Sequence, residues 1–331
     1  MTVREIKGST MNHRMREVFI TKRAPATPRC AWTSLRIAAR ACICGSVLLI
    51  AAGSACLAST INLGTASNYA VLGVGSFANG DPFQTGDPAK LRFSTDVVIN
   101  GNVGVGYRGS VTNISPSSIA GDVYQYRSGQ YSGNGTLLGS IYTDSLILKR
   151  NYTDAVNASA QAAALAPTRT FGSIGSATTI AGNGGLNVIQ INGDITSSLI
   201  LSGSANDEFV INVAGTLNLT GSSVLGLNGG VTAGNVIYNF TSSGQTIITR
   251  GGNVVSGTLL ALRDDIQING NFFGEIIGGQ DITLMSGARI LPGGATLPEP
   301  SIFALLALGL LGIVCFGGRG LRFNQFALMR L

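Results

Sequence analysis

The residues with the most obvious chemistry are two acidic pairs, Asp207-Glu208 and Asp264-Asp265, the second beside Arg263. Carboxylates alone can carry out acid-base hydrolysis. Adjacent residues of a strand point to opposite faces, so neither pair sets two carboxylates over one substrate unless it lies in a turn. Turn formation and solubility account for both pairs, and the chain is read as non-enzymatic. A second group, Tyr124, Tyr126, Arg127 and Tyr131, places three aromatic rings and a guanidinium in a Gly/Ser-rich loop, where rings can stack on sugar faces. The same rings would serve equally well packed over the end of a core. A third group is hydroxylic: Thr178-Thr179, Thr216 with Thr220, and Thr246 with Thr249. Threonines that order water on one face of a strand must stand two residues apart, and none of these pairs does. Oxygen-rich Asn79-Gly80-Asp81 and Asp87 suit calcium in ligand type but meet no calcium-loop spacing, so no metal or other cofactor is expected.

What the chain lacks is as informative. Its only histidine is His13, and its cysteines are Cys30, Cys42, Cys44, Cys56 and Cys315, all near the ends. The stretch between them therefore has no Ser-His-Asp or Cys-His nucleophile, no zinc site of the usual ligands and no disulfide. Charge partitions in the same way. Residues 1–58 carry nine Lys/Arg against two Glu and residues 301–331 carry three arginines, whereas residues 59–300 hold ten basic and fourteen acidic side chains. The central part is mildly acidic, and a nucleic-acid partner has no electrostatic basis there.

Both ends read as delivery signals. The basic residues 1–40, the apolar run Ala41 to Leu57 and the small residues up to Ala58 form a secretory signal peptide over 1–58, with cleavage expected after Ala58 by signal peptidase. Its basic part is long, and Met11 and Met15 are alternative starts. At the other end, Pro298-Glu299-Pro300 precedes an uncharged run, Ser301 to Gly318, then Arg319 and Arg322. Eighteen residues of helix span roughly 27 Å, about the hydrocarbon thickness of a bilayer. The arginines would keep the C-terminus cytoplasmic and place the preceding domain outside. This order resembles the PEP-CTERM sorting signal, in which residues matching Pro298, Glu299 and Pro300 are recognised and cut by an exosortase-like protease. The tail Asn324 to Leu331 is longer than the short basic stub of that family. The resemblance divides the chain into 1–58, an exported domain over 59–297 and a sorting and anchor segment over 298–331.

The domain is rich in short β-branched runs broken by Gly or Asn. Ile99-Asn100-Gly101-Asn102, Ile191-Asn192-Gly193-Asp194 and Ile268-Asn269-Gly270-Asn271 repeat one pattern: alternate apolar residues of a strand, then a corner whose glycine takes positive φ. From Leu186 onward strands are expected at Asn187–Ile191, Leu199–Leu201, Phe209–Val213, Leu217–Leu219, Val236–Phe240, Thr246–Thr249, Thr258–Leu262, Ile266–Ile268 and Asp281–Met285. Strands this short, joined by single corner residues, favour an irregular β-solenoid over a sandwich. One helix interrupts them, near 141–166. Leu148, Tyr152, Ala155, Val156, Ala160 and Ala163 recur at three-and-four spacing, Asp144 caps its start and Pro167 stops it.

Asn62 to Gly73, the corner after Ile99, Ile119-Ala120-Gly121-Asp122-Val123 and the Ala-rich helix together resemble the ice-binding-like domain family. The stretches Asn235 to Phe240, Val255 to Ala261 and Phe273 to Ile277 resemble the choice-of-anchor A domain. These resemblances imply a mainly β fold: a right-handed, three-sided β-helix with one flanking helix. The function expected is adhesion or matrix structure at the cell surface, with extracellular polysaccharide as the partner and the membrane reached through the C-terminal helix. Ice binding is the alternative.

Overall fold

The computed structural model describes residues 61–75, 88–127 and 129–293. The expectations for Ala58, for Pro298, Glu299 and Pro300, for the span 301–318 and for Asn79, Asp81 and Asp87 lie outside them. Alternation of apolar and polar residues turns the β-branched runs into short strands with one inward face. Three coils come first: β1 (Val71–Gly73), β2 (Lys90–Phe93) and β3 (Val98–Ile99); β4 (Val103–Val105), β5 (Ser110–Asn113) and β6 (Ser118–Ile119); β7 (Val123–Gln125), β8 (Gln130–Gly133) and β9 (Thr136–Leu137). Then β10 (Ile141–Thr143) leads into α1 (Ser145–Ala164). After the helix come β11 (Arg169–Phe171), β12 (Thr178–Ala181), β13 (Leu186–Ile191), β14 (Leu199–Gly203), β15 (Glu208–Val213) and β16 (Val224–Gly229). The last three coils are β17 (Val236–Phe240), β18 (Thr246–Ile248) and β19 (Val254–Ser256); β20 (Thr258–Ala261), β21 (Asp265–Ile268) and β22 (Asn271–Phe273); β23 (Ile276–Gly278), β24 (Asp281–Leu284) and β25 (Arg289–Leu291).

The strands stack, parallel throughout, into three sheets. Sheet A runs β10-β7-β4-β1-β23-β20-β17-β15-β13-β11, sheet B runs β18-β21-β24-β2-β5-β8, and sheet C runs β12-β14-β16-β19-β22-β25-β3-β6-β9. The order is not that of the chain, because the last coil lies on the first: Val71 pairs with Ile276, Leu91 with Ile282 and Ile99 with Ile290. Helix α1, about 30 Å long at 20 residues, carries the chain from the β10 end of the stack towards the β11 end. Inside, equivalent residues form ladders. In sheet A, Val123, Val103, Val71, Ile276, Leu259, Tyr238, Ile211 and Ile189 follow one another in register, nearly all inaccessible to solvent.

Most of the expected strands appear within a residue or so of their expected bounds. Leu217–Leu219 does not become a strand; Leu217 bridges Ile195 and Asn218 bridges Ile248, so sheet B continues through isolated bridges there. The helix starts at Ser145, not near 141, because Ile141–Thr143 extends sheet A beside β7. Asp144 caps the helix as expected, its carboxylate accepting from Leu146 N and Ile147 N at 3.0 Å. The buried stripe is Leu148, Asn151, Ala155, Ala158 and Ala162, rotated from the expected one. Asn151 can lie inside because its Nδ2 donates to Tyr69 Oη at 2.7 Å. Tyr152, Val156, Ala160 and Ala163 line a groove of about 490 Å³ instead, facing Phe240 and Leu262. The helix covers Val210, Ile237, Leu260, Ile277 and Leu72, the outward apolar residues of sheet A, in a second core beside the first.

The repeated corners hold the rungs together. At three corners the residue after the glycine uses its side-chain oxygen to accept the backbone N–H of the next rung: Asn102 from Asp122 at 2.9 Å, Asp122 from Ser140 at 2.8 Å, Asp194 from Thr216 at 2.9 Å. Gly101 has the expected positive φ of 154°. Gly193 is not among the positive-φ glycines; a Cβ there would meet Ser173 Oγ, which would have to turn away from Asp194 N.

Candidate functional site

The acidic pairs are structural clamps. Asp207, 2 % exposed, accepts from Ser204 N at 2.7 Å, Gly184 N at 2.7 Å, Ser204 Oγ at 2.9 Å and Asn187 Nδ2 at 3.1 Å. Burial alone would raise its pKa, but these donors outweigh it and hold the carboxyl at about 2. Asp264 accepts Gln245 N at 2.9 Å, and Asp265 accepts Asp281 N at 3.2 Å. Asp207, Asp264 and Asp265 are thus each committed to backbone N–H groups. Among the described residues no group of three or more His, Cys, Asp or Glu is placed to hold a metal ion.

Nor do the tyrosine-group residues form one loop site. Tyr124 lies on β7 facing the helix side, edge-on to Tyr69 at 5.5 Å and stacked on Tyr142 at 5.3 Å. Tyr126 follows β7 and meets Tyr107 edge to face at 5.1 Å, while Arg127 is exposed. Tyr131 sits on β8 and packs on the main core, its Oη accepting from Asn113 Nδ2 at 3.1 Å. Strands carry two of these residues, Tyr124 on β7 and Tyr131 on β8, while Tyr126 and Arg127 lie in the connection between them.

The threonine pairs are also separated. Thr178 points inward and Thr179 outward on β12; Thr249 is buried with its Oγ1 donating to Asn269 O, and Thr216 Oγ1 donates to Thr246 O.

What remains is the three outer faces. Sheet A is covered by α1 along much of its length. Sheet B presents Lys90, Arg92, Asp265 and Asp281. Sheet C, nine strands in register, presents small hydroxylic and apolar side chains. One row contains Thr179, Ile200 and Gly226; another contains Val224, Val254, Asn271, Arg289, Val98, Ser118 and Thr136. Its one charge, Arg289, is paired with Asp96 at 3.6 Å. Neighbouring residues within such a row stand about 4.8 Å apart, the spacing of paired strands. Sequence spacing within a strand could not show this face, because its rows run across strands; the corner repeats were the available signal.

The described chain is thus a three-sided parallel solenoid with a flanking helix and one nearly uncharged face. The family model described as "Putative Ice-binding-like adhesive domain" matches residues 51–285, and the chain belongs to that family. No curated protein matches the chain. Among solved structures, an ice-binding protein from an Antarctic biological consortium is 21% identical, with a TM-score of 0.50, over 70% of this chain and 90% of that one. An ice-binding protein from Arctic yeast is 18% identical, with a TM-score of 0.50, over 72% and 96%. One from an Antarctic bacterium of the Flavobacteriaceae is 17% identical, with a TM-score of 0.50, over 73% and 51%. At these identities the likeness shows the fold. The family is described as ice-binding-like and adhesive, and these neighbours are described as ice-binding proteins. Among the described residues no helix is long and apolar enough to cross a membrane.

Proposed function

We propose that this chain is an exported ice-binding adhesive protein whose contact surface is the outer face of sheet C. The observation that carries the reading is that face: nine in-register strands exposing mostly hydroxyls and methyls, with the amides of Asn228 and Asn271 and the ring of Phe273 among them, and a single, paired charge. Rigid hydroxyl and methyl rows hold first-layer water in fixed positions, whereas free charges orient water around themselves. The family description and the solved ice-binding neighbours favour ice over the matrix reading, and the commitment of Tyr124 and Tyr131 to packing weakens a sugar site there. Export by the 1–58 signal and retention through Pro298, Glu299, Pro300 and the 301–318 run, with an exosortase-like protease as processing partner, belong to the same proposal. They rest on the sequence of the two ends. Mass analysis of the protein from cell-surface fractions checks them: a chain starting at Ser59 is expected.

The ice reading is tested on the purified chain by inhibition of ice recrystallisation. The wild type is expected to inhibit, Asn271→Lys on β22, the middle strand of the face, to abolish inhibition, and Thr112→Lys on sheet B to retain it, all three keeping the same unfolding midpoint. An inert wild type ends this reading.

A further inference from the structure

The two ends of the stack are built differently. At the β11 end the sheet A ladder stops on Arg169, in register with Ile189, and its guanidinium donates to Ala181 O. The sheet C ladder stops there on Thr178, in register with Leu199, and the next residue along the chain, Thr179, is exposed. Polar and charged groups at an open edge are the usual guard against further strand pairing. At the other end the three ladders stop on Ile141, Tyr131 and Leu137, and among the described residues no further rung lies over them.

Exposed apolar surface gathers at this second end. Among the described residues seven large hydrophobics are exposed, and five of them fall between Leu138 and Ile147: Leu138 at 72 %, Ile141 at 46 %, Tyr142 at 47 %, Leu146 at 81 % and Ile147 at 42 %. Residues 129–147 contain one charged side chain, Asp144, and it is used to cap α1. Tyr142 is the last ring of the Tyr69, Tyr124, Tyr142 series, so one face of it has no ring against it within the series. The edges of β8, β9 and β10 each face away from their only strand partner.

We infer that the β8, β9 and β10 end is the docking surface for a second copy of this chain, joined end to end about a two-fold axis. An apolar patch almost free of charge meets its own copy without like-charge repulsion, and the unpaired strand edges can pair across the axis. The contrast between the ends fixes the arrangement. Joining the bare end to the Arg169 end would bury a guanidinium against Ile141 and Leu138, so head-to-tail growth is disfavoured and assembly stops at two. Two copies joined this way continue sheet C in both directions and double the length of that flat face. The inference stands on the end of the stack and does not rest on what sheet C binds.

The test is the solution mass of the full chain in mild detergent, by sedimentation, with unfolding midpoints measured alongside. The wild type is expected at twice the chain mass, and Leu138→Lys and Leu146→Lys, each at a highly exposed position, are expected to halve it with unchanged midpoints. Thr170→Lys at the far end is expected to leave the dimer intact. A monomeric wild type overturns the inference, including the case where another segment of the chain covers the patch and Leu138→Lys lowers the midpoint. A dimer that survives both lysines, as association through the 301–318 run would, overturns it too, and so does a ladder of ever larger species.

Discussion

Glu275 stands at the corner between β22 and β23, where its carbonyl accepts Leu259 N at 2.8 Å and its Oε2 is buried without a hydrogen-bond partner. Burial raises its pKa to about 8, from an ordinary value near 4.5. An acid whose folded pKa is raised binds its proton more tightly when folded. Its contribution to stability is therefore complete below about pH 4.5 and is lost as pH rises towards about 8. Across that window the loss is roughly 3–5 kcal/mol. Glu275→Gln, which stays neutral, is expected to flatten the fall in unfolding midpoint between those pH values, read by thermal melts across the series. Equal slopes in both proteins would show that the carboxyl is not held neutral. Asp207 has the opposite sign: its carboxylate is held ionised by four donors, and that stability disappears only as pH falls towards about 2. At this scale the acidic residues were legible as turn formers from their neighbours, and Ser204 supplies two of the donors to Asp207 within the same turn, but the other two, from Gly184 and Asn187, come from the neighbouring rung and could not be read locally.

The helix illustrates the same limit one level up. Its existence, its cap at Asp144 and its end before Pro167 follow from local chemistry, while its buried face was read in part: Leu148 and Ala155 lie inside as expected, but Asn151, Ala158 and Ala162 complete the stripe. The cause is that apolar character is not the only route to burial. Asn239, on β17, donates to Asn212 Oδ1 at 2.8 Å and to Ser159 O at 3.2 Å, and its own Oδ1 accepts from Ser159 Oγ at 2.7 Å. Asn212 in turn donates to Ala162 O at 2.7 Å. This pair bolts the C-terminal half of α1 to sheet A. Asn239→Ala leaves buried polar groups of Asn212 and Ser159 without a partner and is expected to cost about 2–3 kcal/mol, measured by urea unfolding. Val156→Ala, in the groove on the other side of the helix, is expected to cost less than half as much. The reverse ranking would mean that the groove face, not the asparagine pair, secures the helix.

The whole stack is closed by a seam between chain segments that are far apart in sequence. Strands β1 and β23 meet in the middle of sheet A, so the first and last described coils are interior rungs, while β10 and β11 are its edges. A solenoid is stabilised rung by rung, and edge rungs open most readily. Amide exchange is therefore expected to be slowest in β1, β23 and their neighbours, and fastest in β10 and β11, by hydrogen exchange with mass readout. If β1 exchanges much faster than β23, the first three coils detach from the seam as a unit. Such a result would contradict a single continuous core.

Several features were decided by the sequence alone. The period-two pattern dictated short strands with one inward face, the Asn-Gly and Ala-Gly corners dictated where the chain turns, and the absence of Cys and His from the central region excluded whole classes of chemistry. Only the tertiary structure decided which rung lies on which. Rungs are joined by backbone hydrogen bonds that are alike at every level, so local pattern offers no reason for Val71 to choose Ile276 rather than any other inward aliphatic residue. That choice depends on the helix returning the chain to the far end of the stack. It in turn determines which coil is left uncovered, why Ile141 and Leu138 face solvent, and how the side chains of nine separate strands assemble into one flat face.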